Sequence, residues 1–317
     1  MIEMRLLLAA ILSLSAACAS TATEFESVTI CPSSEGVTLQ VLGSGGPIAD
    51  DARASSGYLI WIDGESRVLI DVGGGTFLRF GEAAADFKQL DFIGLSHFHT
   101  DHSVDFPALL KSGSFAGRKR PLAVGGPSGS DMFPGLNDYL NSMLAKQQGA
   151  YGYLGGFLDG SGGMPKLETS EIDKDNVDSV HVFASEDGDI QIDAMPVPHG
   201  IVPAVAFRIT SGSTTVIFAS DQNGGNDNFI EFAKDANVLV MHMVIPEGTT
   251  GTGRRLHAPP SVIGTIARKA NVDTLVLSHF MARSLRNLDE NIALVRQQFN
   301  GGIILAHDLG CIAADKT

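Results

Sequence analysis

The stretch LSHFHTDHSVDFPALL, residues 95–110, limits what this chain can become more than any other. It sets three histidines and an aspartate into six positions, directly after a run, DFIGLS, that reads as a buried strand. In His97-x-His99-x-Asp101-His102 the side chains alternate out of an extended loop, so residues two apart point the same way while Asp101 and His102 diverge. Such a loop can hand ligands to two metal ions, but it cannot complete two coordination shells. The fold must bring further donors to it. Three positions have the right setting, a ligand-type residue at the C-terminal end of an expected strand: His199 in MPVPHG, Asp221 in VIFASD and His279 in LVLSHF. Strand ends are where an α/β scaffold presents reacting groups, so four separate elements are expected to converge on one edge. One histidine in such a place is more often structural, and it is the joint pattern that points to metal. Imidazole with carboxylate suits Zn²⁺, with Fe²⁺ or Mn²⁺ as alternatives.

The rest of the chain supplies the scaffold. VTLQVLGSGG, SGYLIWIDG and SRVLIDVGGGT are short β-rich runs broken by Gly and Asp, and residues 77–90, FLRFGEAAADFKQL, fit a helix. DFPALLKSGSF looks like a helix launched from the histidine loop. Residues 126–175 differ in texture: one amphipathic helix, 136–148, lies between Gly-rich, aromatic-dotted segments, which reads as an insertion over one face. Strands then resume in DSVHVFAS, GDIQIDAMPVPHG, AVAFRIT and STTVIFASD, followed by helix–strand units that end in GGIILAHDL. The order β-rich, α, β-rich, α predicts an α/β protein with two sheets sandwiched between helices, and no linker splits residues 20–317.

With these residues in view, the sequence resembles the metallo-β-lactamase-fold hydrolases, and within them the ribonuclease Z-like and phosphodiesterase/arylsulfatase-like branch. The likeness runs from VTLQVLGSGGP to about AHDL and centres on SHFHTDH. It implies a four-layer αβ/βα sandwich holding two Zn²⁺ ions, with His97, His99 and His199 on one, Asp101, His102 and His279 on the other, and Asp221 bridging them. Asp71, in LIDVGGGT, would brace the ligand loop without binding metal. Asp101 and His257 are the residues expected to carry catalysis, His257 as a general acid or phosphate contact poised near the leaving group. Its bland alternative is an exposed loop histidine. The acid that the branch carries beside His242 is missing, because Met243 stands there, although Glu247 is near enough in sequence to approach the same place. His242 is expected to support the ligands, and His181 and His307 to serve packing or surface.

Two metals sharing a water can lower its pKa towards ~7 and stabilise the anionic oxygens of a phosphate or sulfate ester. The expected function is therefore a two-metal hydrolase of small phosphodiesters or aryl sulfates, with a lactonase or β-lactamase of the same fold as the alternative. Asp221 argues against the β-lactamase, since those enzymes usually lack a bridging carboxylate. The N-terminus, MIEMRLLLAAILSLSAACAS, has the build of a secretory signal over residues 1–19, and cleavage before Cys18 would instead leave a lipid anchor in a membrane. A periplasmic or secreted location is expected. A net charge of −14 and the lack of a long basic arm lead to the expectation of a small anionic ester and no long nucleic acid as partner. Cys31 and Cys311 then form a disulfide or remain two unlinked small residues.

Overall fold

The computed structural model describes Cys31 and residues 35–315. The expected signal at residues 1–19, with Cys18, lies outside the described residues. The first half of the chain lays down β1 (Val37–Gly43), β2 (Gly57–Ile62), β3 (Glu65–Val72), β4 (Phe92–Gly94), β5 (Leu122–Pro127) and β6 (Leu167–Ile172). The second half adds β7 (Val180–Ala184), β8 (Ile190–His199), β9 (Val202–Ser211), β10 (Thr214–Phe218), β11 (Val238–His242), β12 (Thr274–Ser278), β13 (Gly302–Leu305) and finally β14 (Cys311–Ala313). Two mixed sheets result, ordered β14-β1-β2-β3-β4-β5-β6 and β13-β12-β11-β10-β9-β8-β7.

Side-chain alternation explains the layering. In the first sheet Tyr58, Ile60, Ile62, Val68 and Ile70 face the second sheet, where they meet Val205, Phe207, Val216 and Phe218 in a common core. Their neighbours Leu59 and Leu69 face the other way, against Phe80, Phe106, Leu110 and Leu140 on the helices that cover that side. Strands β10 and β11 are buried along their whole length, as parallel strands covered on both faces must be. Helices Pro260–Lys269 and Leu288–Gln298 close the far side through Ile263, Ile266 and Val295. The four-layer sandwich expected from the resemblance is the observed fold.

Two expectations about elements change. The helix expected over 77–90 stops at Glu82. Ala84 takes a left-handed conformation (φ 56°) and Ala85 N–H donates back to Phe80 O, a turn that closes the helix so that Phe87 can enter the core. The 126–175 stretch carries the helix Leu136–Leu144 but also supplies β6, the edge strand that pairs in parallel with β5. Its central side chains are exposed or half-buried while Leu167 and Ile172 are buried, a short and polar edge whose strand signal is weak.

One edge of the sandwich collects the strand ends that matter. β8 and β10 both pair antiparallel with β9, and β10, β11 and β12 are mutually parallel, so His199, Asp221, His242 and His279 all leave their strands on the same side. In the first sheet β3 and β4 run parallel and deliver Asp71 and the histidine loop. Where β2 meets β3, Gly57 pairs with Val72 and Tyr58 with Ile70, leaving Asp71 as an extra, bulged residue. Cys31 and Cys311 are joined in a disulfide that closes the N-terminal lead-in onto β14.

Candidate metal centre

Every residue expected to bind metal converges at this edge. Ligand atoms of His97, His99 and His199 all lie within 4.8 Å of one another, as do those of His102, Asp221, His242 and His279, and those of His199, Asp221 and His257. His97 Nε2 is 3.1 Å from His99 Nδ1, and His102 Nε2 is 3.1 Å from His279 Nε2. Asp101 Oδ2 joins the second group, 3.2 Å from His279 Nε2 and 3.5 Å from His102 Nε2. Donors ~2.1 Å from a common tetrahedral ion stand about 3.4 Å apart, so these spacings are close to those of ligands around an ion.

Asp221 lies between the groups. Its Oδ2 is 4.0 Å from His97 Nε2, 3.6 Å from His199 Nε2 and 3.8 Å from His102 Nε2, and its Oδ1 is 3.5 Å from His279 Nε2. Burial alone would raise this carboxyl, but the surrounding His279 and His257 hold it well below the usual carboxylate range. Burial pushes His97 well below the ordinary histidine range and lowers His99, so both present the neutral imidazole that coordinates metal.

The backbone holds the donors in place at some cost. Asp71, Ser220 and His279 adopt left-handed φ values of 58°, 58° and 55° in the bulge, before the bridging aspartate and at the last ligand position. Strain of this kind gathers where surrounding structure fixes a functional geometry. Asp71 braces the loop as expected. Its Oδ1 accepts from Ser96 N at 2.7 Å, and its Oδ2 accepts from Ser96 Oγ at 2.8 Å and His102 Nδ1 at 2.7 Å. Burial opposes protonation of His102, but the carboxylates of Asp71, Asp101 and Asp221 together outweigh it and raise the ring to about 9, which also makes Nε2 a stronger electron-pair donor.

His199 tests whether these residues fit a metal. Its Nδ1 donates to Leu256 O at 2.9 Å, which leaves the lone pair on Nε2, a buried atom with no hydrogen-bond partner, aimed into the cluster. That is the tautomer and orientation of a metal ligand, and the set fits. His242 differs, because both ring nitrogens are engaged, Nδ1 with Asp221 Oδ1 at 2.6 Å and Nε2 with Tyr58 Oη at 3.1 Å. It supports Asp221 rather than pointing an unpartnered nitrogen into the cluster as His199 does.

His257 is neither exposed nor on a loose loop. It closes the helix Gly251–Leu256, is buried, and sets Nδ1 3.8 Å from Asp221 Oδ2. Burial lowers it to about 3, so its resting form is neutral. Glu247 does not take the place of the missing acid. It is exposed and accepts from Ser261 N and Oγ, capping the start of helix Pro260–Lys269. His181 and His307 are exposed, as expected.

A cavity of about 500 Å³ opens over the cluster, and Pro47, Phe98, Leu256, Met281 and Arg283 form its walls beside the ligands. Sequence reasoning passed over Tyr58, Ser96, Phe98 and Arg283. Ser96 and Phe98 sit inside the quoted motif and were open to notice, whereas Tyr58 lies in an ordinary β-run and carries no local signal.

The family described as Beta-lactamase superfamily domain matches residues 66–280. A ribonuclease Z of Methanosarcina mazei is 24% identical over 293 residues, 84% of this chain and 95% of that protein. One from Mycobacterium marinum is 26% identical, covering 86% and 97% of the two chains. The crystal structure of the short form of human tRNase Z superposes with a TM-score of 0.67 at 19% identity, covering 88% of this chain and all of that one. These findings overturn the expectation that long nucleic acids are excluded as partners, because the relatives matched over nearly their whole length are ribonucleases by name. The physical error was to let a whole-chain charge of −14 stand for the site. The carboxylates of the centre face histidines and ligand positions for cations, and the field a substrate meets is that of the loaded site, not the chain average.

Proposed function

Because the chain belongs to the beta-lactamase superfamily and is a metal-dependent hydrolase of ester bonds, we propose that it cleaves phosphodiesters at a two-zinc centre. The observation that carries this reading is the position of Asp221, one buried carboxylate within 4.0 Å of donors from both ligand groups. His97, His99 and His199 would hold one ion, Asp101, His102 and His279 the other, with Asp221 shared. When bound, the two ions supply Lewis acidity to the ester oxygens and a water of lowered pKa.

The chain's own residues do the rest. Arg283, tethered by its Nε to Val244 O at 3.0 Å, is the lysine or arginine in the cavity wall and meets the anionic phosphate. Phe98, stacked on Tyr139 at 4.5 Å, and Leu256 offer an apolar bed for a flat substituent, a nucleobase included. The ribonuclease Z names of the relatives support RNA as one such diester. His257 faces the same space. As a neutral ring at rest it must take up its proton together with the anionic ester, whose charge offsets the desolvation, before passing it to the departing oxygen. We extend the reading to an exported enzyme with a cleaved signal at residues 1–19. What supports this is the Cys31–Cys311 disulfide, a bond that persists in oxidising compartments.

The test is an assay of zinc-loaded protein against bis-p-nitrophenyl phosphate, an RNA oligonucleotide, p-nitrophenyl sulfate, nitrocefin and a homoserine lactone. Turnover of the phosphodiesters is expected. Turnover of nitrocefin or the lactone with both diesters untouched would return the reading to a lactonase or β-lactamase.

A further inference from the structure

His242 lacks the acidic neighbour expected beside it, and Met243 there is buried and carries no hydrogen-bonding group to serve it. The ring is nevertheless fully engaged. Nδ1 lies 2.6 Å from Asp221 Oδ1, and Nε2 lies 3.1 Å from the hydroxyl of Tyr58, which reaches across from β2 in the opposite sheet. Tyr58 Oη is also 2.9 Å from Ser278 Oγ, the residue before His279. Tyr58, His242, Ser278 and Asp221 are all buried. Tyr58 packs against Phe218 with ring centroids 5.4 Å apart, and its ring meets that of His242 through the hydroxyl at an interplanar angle of 25°.

The carboxylate fixes one end of this chain. A carboxylate only accepts, so Nδ1 carries the hydrogen facing Asp221. Nε2 meets the Tyr58 hydroxyl at 3.1 Å, and that hydroxyl donates to Ser278 Oγ at 2.9 Å, so the tyrosine ties the ring to the residue before His279. Asp221 Oδ1 is thereby fixed from behind, and Oδ2 is the atom presented to His97, His199 and His102.

We propose that Tyr58 is a positioning residue for the metal centre, reaching from the other sheet and acting through His242 to hold the shared carboxylate of Asp221. The proposal rests on the reading of Asp221 as the shared ligand. Tyr58→Phe keeps the ring and its packing while removing the hydroxyl, so the metal-free protein should still unfold cooperatively at close to the wild-type temperature. Zinc affinity of the full chain, measured by competition with a chelator of known affinity, should fall ~10–100-fold, the range for partners behind a ligand. Because Tyr58 acts through His242, His242→Ala should weaken zinc binding at least as much, and adding Tyr58→Phe to it should cost nothing further. An unchanged affinity in Tyr58→Phe, or fully additive losses in the double variant, overturns the proposal. If Tyr58→Phe does not fold, the same cycle with Ser278→Ala in its place should show the same non-additivity, and additive losses there overturn it too. A wild-type chain that binds no zinc refutes the shared-ligand reading itself, which distinguishes that failure from this one.

Discussion

Asp221 and His257 lie 3.8 Å apart and are both buried, yet they are assigned different work. Asp221 is ringed by histidine nitrogens from both ligand groups, whereas His257 closes the helix Gly251–Leu256 and its ring lines the cavity. His257→Ala is therefore expected to keep both metal ions and to lower kcat by ~10²–10⁴, the loss typical of a positioned acid. The defect should shrink for esters of p-nitrophenol, which leave without protonation. Elemental analysis and kcat for good and poor leaving groups check this, and a lost ion or an equal defect for both contradicts it. That these candidate ligands come together was legible because their signal is local, a dense His/Asp motif and donors at strand ends. Tyr58 was not, since what gives it a role is a contact made 184 positions away with His242, invisible to spacing or residue type. The burial of His257 was also hidden, because GTTGTGRRL reads as a flexible approach and folds as a short helix.

Among the elements, the strands and their edge were readable from apolar runs ending in Asp or His, and the helix ends were not. The helix over 77–90 was overextended because its termination uses an alanine in a left-handed turn, a choice local sequence does not advertise. Close backbone approaches escape sequence reading in the same way. A Cβ placed on Gly46 would stand 2.8 Å from His279 Cε1 and 2.9 Å from Nδ1, so the loop after β1 passes directly over the last ligand. His279 is already held at a left-handed φ and has little freedom to yield. Gly46→Ala is expected to weaken zinc binding, by about 10-fold or more if it acts as strongly as the loss of a supporting partner, with a small change in the melting of the metal-free protein. Chelator competition and thermal unfolding together check it, and zinc affinity equal to wild type contradicts the packing argued for His279.

At the scale of the molecule, the sandwich and its single ligand edge followed from the sequence, while the partner did not. Charge summed over the chain describes solubility and long-range steering, and it misled about partners because it takes no account of the cations that the His/Asp cluster could hold. The disulfide was an open alternative that only folding could decide, since residues 280 positions apart meet only if β14 pairs beside β1. In a chain-entropy view a loop of that length stabilises by up to ~5 kcal/mol. Cys311→Ser is therefore expected to lower the free energy of unfolding by ~2–5 kcal/mol, measured by denaturant titration, and no change would remove the staple from the account. The central claim is that the two ligand groups sharing Asp221 make a dinuclear centre. Elemental analysis of protein purified without chelator tests this most directly. Close to two ions per chain, chiefly zinc, with fewer in Asp221→Ala, is the predicted result, and a chain that carries no metal, or an Asp221→Ala variant that retains both ions and full activity, would contradict it.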